Sequence, residues 1–221
     1  LMVTGGYLGA LAAFADGSGG ANTRSAAMFE KLGRIVTVPV RWALAIAALA
    51  WLAQPVLADL ASRRAIEELS AGRADGGLYW QSVARRLEPR NAVHYWAEAT
   101  IWRDQAEAAG DRALAARAEA LFIEELHVNP HEIAPYVELA RFHRQYPQLF
   151  DRPTSPAEIL DWTGKALKLR PDSLLVHAEH ARALAFAGRT AEARRTLRAM
   201  QAWHPEAKLT RDLAAELPAA D

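Results

Sequence analysis

The sequence contains no cysteine, and this absence excludes two kinds of site. Neither a disulfide framework nor a thiolate metal site can form, although the compartment of the protein stays open. The formal net charge is zero, so charge gives no indication of nucleic-acid binding. Gly-rich phosphate loops, Gly-x-Ser-x-Gly elbows and Cys/His pairs are also missing from the sequence. The sequence therefore predicts no catalytic residue, no metal site and no cofactor.

The N-terminal region lacks charge in one stretch and is rich in glycine in the next. Residues 1–15 carry no charge, and they are shorter than the roughly 20 residues that a membrane span needs. Because the chain starts at Leu1, we interpret 1–15 as the end of a transmembrane segment in a longer protein. A short soluble helix is the alternative. Residues 16–34 contain Asp16–Asn22 (DGSGGAN) and three basic residues, which predict a flexible basic loop.

Residues 35–58 form a long apolar run in which Arg41 is the one charged residue. As a helix these residues would extend about 36 Å, against a hydrocarbon core of about 30 Å. The run predicts a transmembrane helix surrounded by lipid, and a buried helix of a soluble protein is the alternative. Arg24, Lys31 and Arg34 precede it in a short loop, which favours a cytoplasmic loop and places the following domain on the other side.

The remaining sequence, residues 59–221, repeats a helix-end signature. Prolines at Pro89, Pro130, Pro171 and Pro205 follow amphipathic segments at intervals of 41, 41 and 34 residues (130−89, 171−130, 205−171). A fixed period in this range is typical of stacked helical hairpins. Strands of useful length are not predicted, since alternating apolar and polar residues do not occur in long runs.

A small residue stands ten positions after each of the first three repeat prolines. These residues are Ala99, Ala140 and Ala181. Bulky residues precede them by four positions, at Tyr95, Tyr136 and His177. A small side chain lets two helices approach closely, so we expect the alanines to be packing points.

This pattern resembles the tetratricopeptide repeat, a 34-residue helix–turn–helix. The resemblance covers Asp59 to about Glu206 and implies a solenoid of about four helical hairpins. With the predicted transmembrane helix before it, the chain is expected to be all-α. The two units of 41 residues each carry seven more residues than this repeat (41−34). The sequence places them near Ala106–Ala113 and near Tyr146–Pro156, where PQLFDRPTSP is typical of a loop.

The whole chain resembles the C-terminal end of bacterial O-antigen ligase and polymerase-like membrane proteins. The shared features are an apolar segment, a short basic loop, a last span ending at Ala58-Asp59, and helical repeats. The resemblance implies glycan transfer in cell-envelope synthesis, at the bacterial inner membrane with a periplasmic repeat domain. The catalytic residues of that family lie in an outer loop that this chain lacks, so the sequence leaves enzymatic activity open. A membrane-tethered scaffold without enzymatic activity is the alternative.

Repeat arrays bind partners on one helix face, so we expect a groove formed by the first helices. Its predicted residues are Tyr95, Glu98, Trp102, Tyr136, Glu138 and His177, and its predicted ligand is a protein partner or a glycan acceptor. His177 and His180 are three apart on a helix, but both flank Ala181, which favours a structural role over a metal site. Among the aromatic residues, Trp80 and Trp96 are the strongest candidates for groove positions.

Overall fold

A computed structural model describes residues 22–152 and 154–217, with side chains from Val40 onward. The predicted segment 1–15 and residues 16–21 of the predicted loop lie outside the described residues. The described part of the chain is all-α, as the sequence predicts. Its helices are α1 Asn22–Ser70, α2 Ala74–Leu87, α3 Ala92–Ala109, α4 Arg112–Val128, α5 Ala134–Gln145, α6 Pro156–Leu169, α7 Leu174–Phe186, α8 Thr190–Trp203 and α9 Lys208–Glu216.

Helix α1 begins earlier and ends later than the sequence predicts. It starts at Asn22, so residues 22–34 are helical and not a flexible loop. The glycine-rich stretch ends at Gly20, and the Ala, Met, Glu, Lys and Leu residues that follow have good helix propensity. At the other end the helix passes Ala58 and continues to Ser70. The predicted boundary between span and repeat domain therefore falls inside one helix.

The chain divides into two units, residues 1–54 and residues 55–221. In the first unit, the described side chains of α1 include exposed Trp42, Leu49 and Trp51, with exposed fractions of 67%, 66% and 69%. The stretch Val40–Ser70 is long and apolar enough to cross a membrane, judged by length and composition alone. In its most apolar window of 18 residues, 6% is buried.

The second unit is a series of antiparallel hairpins followed by a single helix. The end of α1 packs on α2, and α3 pairs with α4, α5 with α6 and α7 with α8. Helix α9 lies against α7 and α8, where Leu213 is completely buried. This arrangement confirms the predicted solenoid of about four hairpins.

Three of the four hairpin turns use a glycine with positive φ. Gly72, Gly110 and Gly188 have φ values of 76°, 66° and 75°. Residues with a Cβ rarely adopt this left-handed backbone conformation. The fourth turn is the loop between α5 and α6, which contains a short 3₁₀ helix, Pro147–Leu149. That loop holds the extra residues of its unit, as predicted. In the preceding unit they lengthen α3 and α4 to 18 and 17 residues, against 13 and 14 in α7 and α8.

The predicted packing points are buried. Ala99 and Ala181 have no exposed surface, and Ala140 is 2% exposed. Each belongs to an apolar cluster that links its own helix to its neighbours. The alanine register therefore sets which face of α3, α5 and α7 points inward.

Candidate partner-binding groove

Each of the first three repeat prolines accepts a hydrogen bond from the bulky residue six positions later. The Tyr95 hydroxyl donates to the Pro89 carbonyl oxygen at 3.0 Å, and His177 Nε2 donates to the Pro171 carbonyl oxygen at 2.7 Å. Tyr136 makes the equivalent contact with Pro130 at 3.5 Å, the weakest of the three. These bonds, which we call the proline staples, fix the first turn of each helix on the loop before it.

A groove of about 570 Å³ opens between α3, α5, α7 and α9. We call it the polar groove, because arginine and glutamate dominate its lining. Its charged residues are Arg103, Glu107, Arg141, Arg144, Glu179, Arg182 and Glu216. Leu175, at the start of α7, gives the groove an apolar patch. The first helices of three successive hairpins, α3, α5 and α7, therefore line this groove together with α9.

Glu179 is the centre of the charge pattern in the polar groove. It is 3% exposed, yet its carboxylate meets three guanidinium groups. The contacts are 2.8 Å to Arg182, 3.2 Å to Arg144 and 3.6 Å to Arg141. Since a buried carboxylate needs partners for its lone pairs, these arginines make the burial of Glu179 possible.

Two further glutamates extend this pattern toward both ends of the groove. Glu138 accepts from Arg141 at 3.2 Å and also from Arg103 on α3. Glu216 on α9 binds Arg182 in a bidentate way, with two N–H···O bonds of 2.7 Å. The hydrogen bond from Arg182 lowers the pKa of Glu216, and the same bond raises the pKa of Arg182. We call the linked set Arg103, Glu138, Arg141, Glu179, Arg144, Arg182 and Glu216 the arginine–glutamate ladder.

The structure brings one of the predicted groove residues into this ladder and places the others elsewhere. Glu138 belongs to the ladder. Tyr95, Tyr136 and His177 form the proline staples. Glu98 is buried and accepts from Arg85 Nε of α2 at 2.7 Å. Trp102 is partly buried among the residues that join α3 to α4, and the Arg117 guanidinium lies 4.4 Å from its ring.

The arginines of the polar groove are functional candidates that the sequence reasoning missed. A signal was present, because Arg103 and Arg144 are 41 residues apart, as are Arg141 and Arg182. Glu138 and Glu179 have the same separation. Charged residues that keep the period of the repeat occupy the same place on successive helices, so a search for charge at the period of the prolines would have found them.

The histidine pair on α7 is engaged in hydrogen bonds within the fold. His177 forms a proline staple, and His180 Nδ1 lies 2.9 Å from Thr163 Oγ1 on α6. Burial lowers the pKa of His180, and the neighbouring His177 lowers it further. Within residues 22–152 and 154–217, no group of three or more His, Cys, Asp or Glu side chains could hold a metal ion.

Comparison with known proteins places the fold among tetratricopeptide repeat proteins. No protein-family model matches the sequence, and no curated protein matches it. Among solved structures, the chain is similar to YrrB, a TPR protein with an unusual peptide-binding site, at 15% identity and a TM-score of 0.52. The match covers 71% of this chain and 74% of YrrB. TTC0263, a TPR protein of Thermus thermophilus, matches at 16% identity and a TM-score of 0.53, over 72% of this chain and 80% of the other. At these identities, the similarity establishes a tetratricopeptide-like fold.

Proposed function

We propose that this chain is a membrane-tethered interaction module whose polar groove holds an extended segment of a partner protein. The polar groove itself is the observation that carries the proposal. It is open to solvent, it runs across four helices, and its guanidinium groups are held in place by glutamates. Hydrogen-bond donors that are already fixed suit the carbonyl and carboxylate oxygens of a peptide. The arginines are ordered in the free protein, so little side-chain entropy is lost when a peptide binds.

The exposed side chains of α1 support the membrane tether. Residues 35–58 would cross the bilayer as part of this helix, with lipid around them. The basic residues Arg24, Lys31 and Arg34 favour a cytoplasmic position for the N-terminal side, which would place the repeat domain in the periplasm of a bacterium. In this arrangement the polar groove faces partners on the outer side of the inner membrane.

We further propose that the chain is the C-terminal part of an O-antigen ligase-like glycan transferase, in which the repeats position the acceptor or a partner protein. The order of apolar segment, basic loop, last span and repeats supports this proposal. The non-enzymatic scaffold is the second candidate, and the polar groove serves it equally well. The gene sequence upstream of Leu1 separates the two: about ten further apolar spans with a long outer loop support the ligase.

Selection of peptides tests the groove. A phage-displayed random peptide library is selected on the purified chain, and affinities are measured with a fluorophore on Leu175→Cys, the sole thiol in an otherwise cysteine-free sequence. We expect Arg144→Gln to lower the affinity for the selected peptides by tenfold or more, which corresponds to about 1.4 kcal/mol of binding free energy. Arg195→Gln, at an exposed position of α8, is the matched control and should leave affinity unchanged. Equal binding to both variants, with the fold intact by circular dichroism, would exclude the groove as the binding site.

Membrane fractionation tests the tether. Ala47→Arg with Ala50→Arg places two charges in the middle of the proposed span, and each costs roughly 2.5–3.5 kcal/mol on the insertion scale. We expect the doubly substituted chain to leave the membrane fraction after an alkaline wash. Ala113→Arg, at an exposed position of α4, serves as the control and should not change fractionation. Retention of the double variant would show that residues 35–58 do not cross the bilayer.

A further inference from the structure

A second groove, of about 470 Å³, lies on the first hairpin and has a different lining. Six of the side chains around it are apolar, and Arg64 is the exception. The apolar residues are Leu57, Leu60, Ala61, Trp80, Val83 and Leu87. We call it the apolar groove. Leu57 and Leu60 are 48% and 55% exposed, an unusual state for two neighbouring leucines of a folded domain.

The apolar groove follows from the way in which α1 and α2 pack. Ala58, Ala61 and Ala84 are buried at the contact, and their small side chains allow a close approach. Gly77 allows the same near the turn, where a Cβ would lie 2.5 Å from Leu69 Cγ. The bulkier Trp80, Val83 and Leu87 pack beside this contact. Since the helices are antiparallel, the C-terminal end of α2 returns to the level of Ala58.

The outer surfaces at the two ends of the hairpin series differ in polarity. At the C-terminal end α9 covers α7 and α8, and it turns exposed Lys208, Arg211 and Asp212 outward. Terminal repeats that face water need such a polar outer surface. The first hairpin has the apolar groove at its outer surface instead. An apolar surface of this kind gains free energy when an apolar phase replaces the water that covers it.

We infer that the apolar groove is seated in the bilayer boundary and is occupied by lipid acyl chains. The inference rests on the proposed membrane tether. The proposed span, residues 35–58, would extend about 36 Å as a helix, against a hydrocarbon core of about 30 Å. Leu57 would then lie in the last turn of the crossing and Leu60 one turn further along α1, and Val83 and Leu87 of α2 would lie at the same depth.

Arg64 and Trp80, the two residues of the apolar groove that carry hydrogen-bonding groups on their side chains, suit a position at this depth. Arg64 follows Leu60 by one turn, so its stem can lie on the apolar groove while its guanidinium reaches the headgroups. Arg64 also pairs with Glu67 and Glu68, at 2.7 Å and 2.9 Å. Trp80 is an amphipathic aromatic, the kind of residue that is enriched at membrane interfaces. In this arrangement α2, the second helix of the first hairpin, lies in the membrane surface and anchors the repeat domain there.

Spin labels measure the depth directly, because the sequence offers no competing thiol. The full chain is reconstituted in vesicles of phosphatidylcholine and phosphatidylglycerol, with a nitroxide on Val83→Cys, Leu87→Cys or Asp75→Cys. Asp75 lies on the same helix near the Gly72 turn, 12 residues or about 18 Å before Leu87, and is the matched control. We expect the ratio of collision rates with oxygen and with aqueous nickel–EDDA to be at least threefold higher at positions 83 and 87 than at position 75.

Each other outcome contradicts the inference in a recognisable way. Equal ratios at all three positions, in a chain that resists alkaline extraction, would exclude lipid at the apolar groove and leave the tether intact. Spin–spin broadening that grows with the protein-to-lipid ratio would show that a second copy covers the groove. Loss of the chain from the vesicles during alkaline washing would refute the membrane tether, and with it the proposal that lipid acyl chains occupy the apolar groove.

Discussion

Glu179 in the polar groove and Glu125 on α4 are equally buried, at 3% and 2% exposure, but their surroundings differ. Glu179 has three arginine partners. Glu125 Oε2 has no hydrogen-bond partner among the described residues. Burial raises the pKa of Glu125 to about 8, and the nearby Glu132 adds to the increase. The comparison shows that one hairpin array contains both a buried carboxylate that three arginines contact and a buried carboxyl group that has no such contact and a raised pKa.

Removing the paired carboxylate should have the largest effect. Glu179→Ala leaves Arg141, Arg144 and Arg182 without their shared partner, and breaking a buried ion pair costs about 3–5 kcal/mol. We expect a matching decrease in the free energy of unfolding, measured by urea titration of the full chain in detergent. Glu192→Ala on α8 removes a more exposed partner of Arg189 and should cost much less, because solvent screens this pair. Similar losses in both variants would show that the ladder does not stabilise the fold.

Neutralising the unpaired carboxyl should act in the opposite direction and should depend on pH. The pKa of Glu125 is higher in the folded chain than in the unfolded chain, so its stabilising contribution is complete below about pH 4.5 and is lost as the pH rises through about 8. The decline has a limit of roughly 1.4 kcal/mol per pH unit for one group. Glu125→Gln keeps the shape and removes the titration.

We therefore expect Glu125→Gln to be more stable than the parent chain at pH 8, and the gap to narrow toward pH 5. Thermal unfolding followed by circular dichroism across this range measures the gap. The control is Glu124→Gln, which changes the exposed neighbour on the same helix. A constant difference between the Glu125 variant and the parent at every pH would mean that Glu125 is ionised in the folded state.

Overfilling an inward position should cost less than removing Glu179. Ala181 has no exposed surface between α7 and its neighbours, and Leu there must displace packed side chains. Extra methylenes in a well-packed core cost about 1–3 kcal/mol. Ala191→Leu makes the same chemical change at an exposed position of α8 and should be close to neutral. An unchanged melting curve for Ala181→Leu would contradict the repeat register.

The smallest effect should come from the outer end of the ladder. Glu216 is a partner of Arg182, but its side chain is 47% exposed, so solvent screens the pair. Glu216→Gln should lower the free energy of unfolding by less than about 1 kcal/mol. A loss as large as that of Glu179→Ala would indicate that α9 depends on this pair instead of on the burial of Leu213.

The sequence predicted the hairpins better than it predicted the groove. Prolines, glycine turns and alanine packing points act locally or at a fixed period, so Pro89, Gly188 and Ala181 could be read directly. The groove depends on which long side chains meet between helices. Tyr95 and Tyr136 looked like binding residues, but their hydroxyls reach back to proline carbonyls. Glu125 shows the same limit, since nothing in its neighbourhood along the chain distinguishes it from exposed Glu124.

The proline staples and the arginine–glutamate ladder also differ in the length of chain that they close. Each staple joins residues six positions apart, whereas Arg144 reaches Glu179 across 35 positions and Arg182 reaches Glu216 across 34. Short loops close early and favour fast folding, so each hairpin can form its first turn independently. We expect the ladder to form afterwards, because its bonds join different hairpins and join α7 to α9. Opening α9 therefore removes bonds from α7 as well, and the repeats should unfold cooperatively and not one at a time.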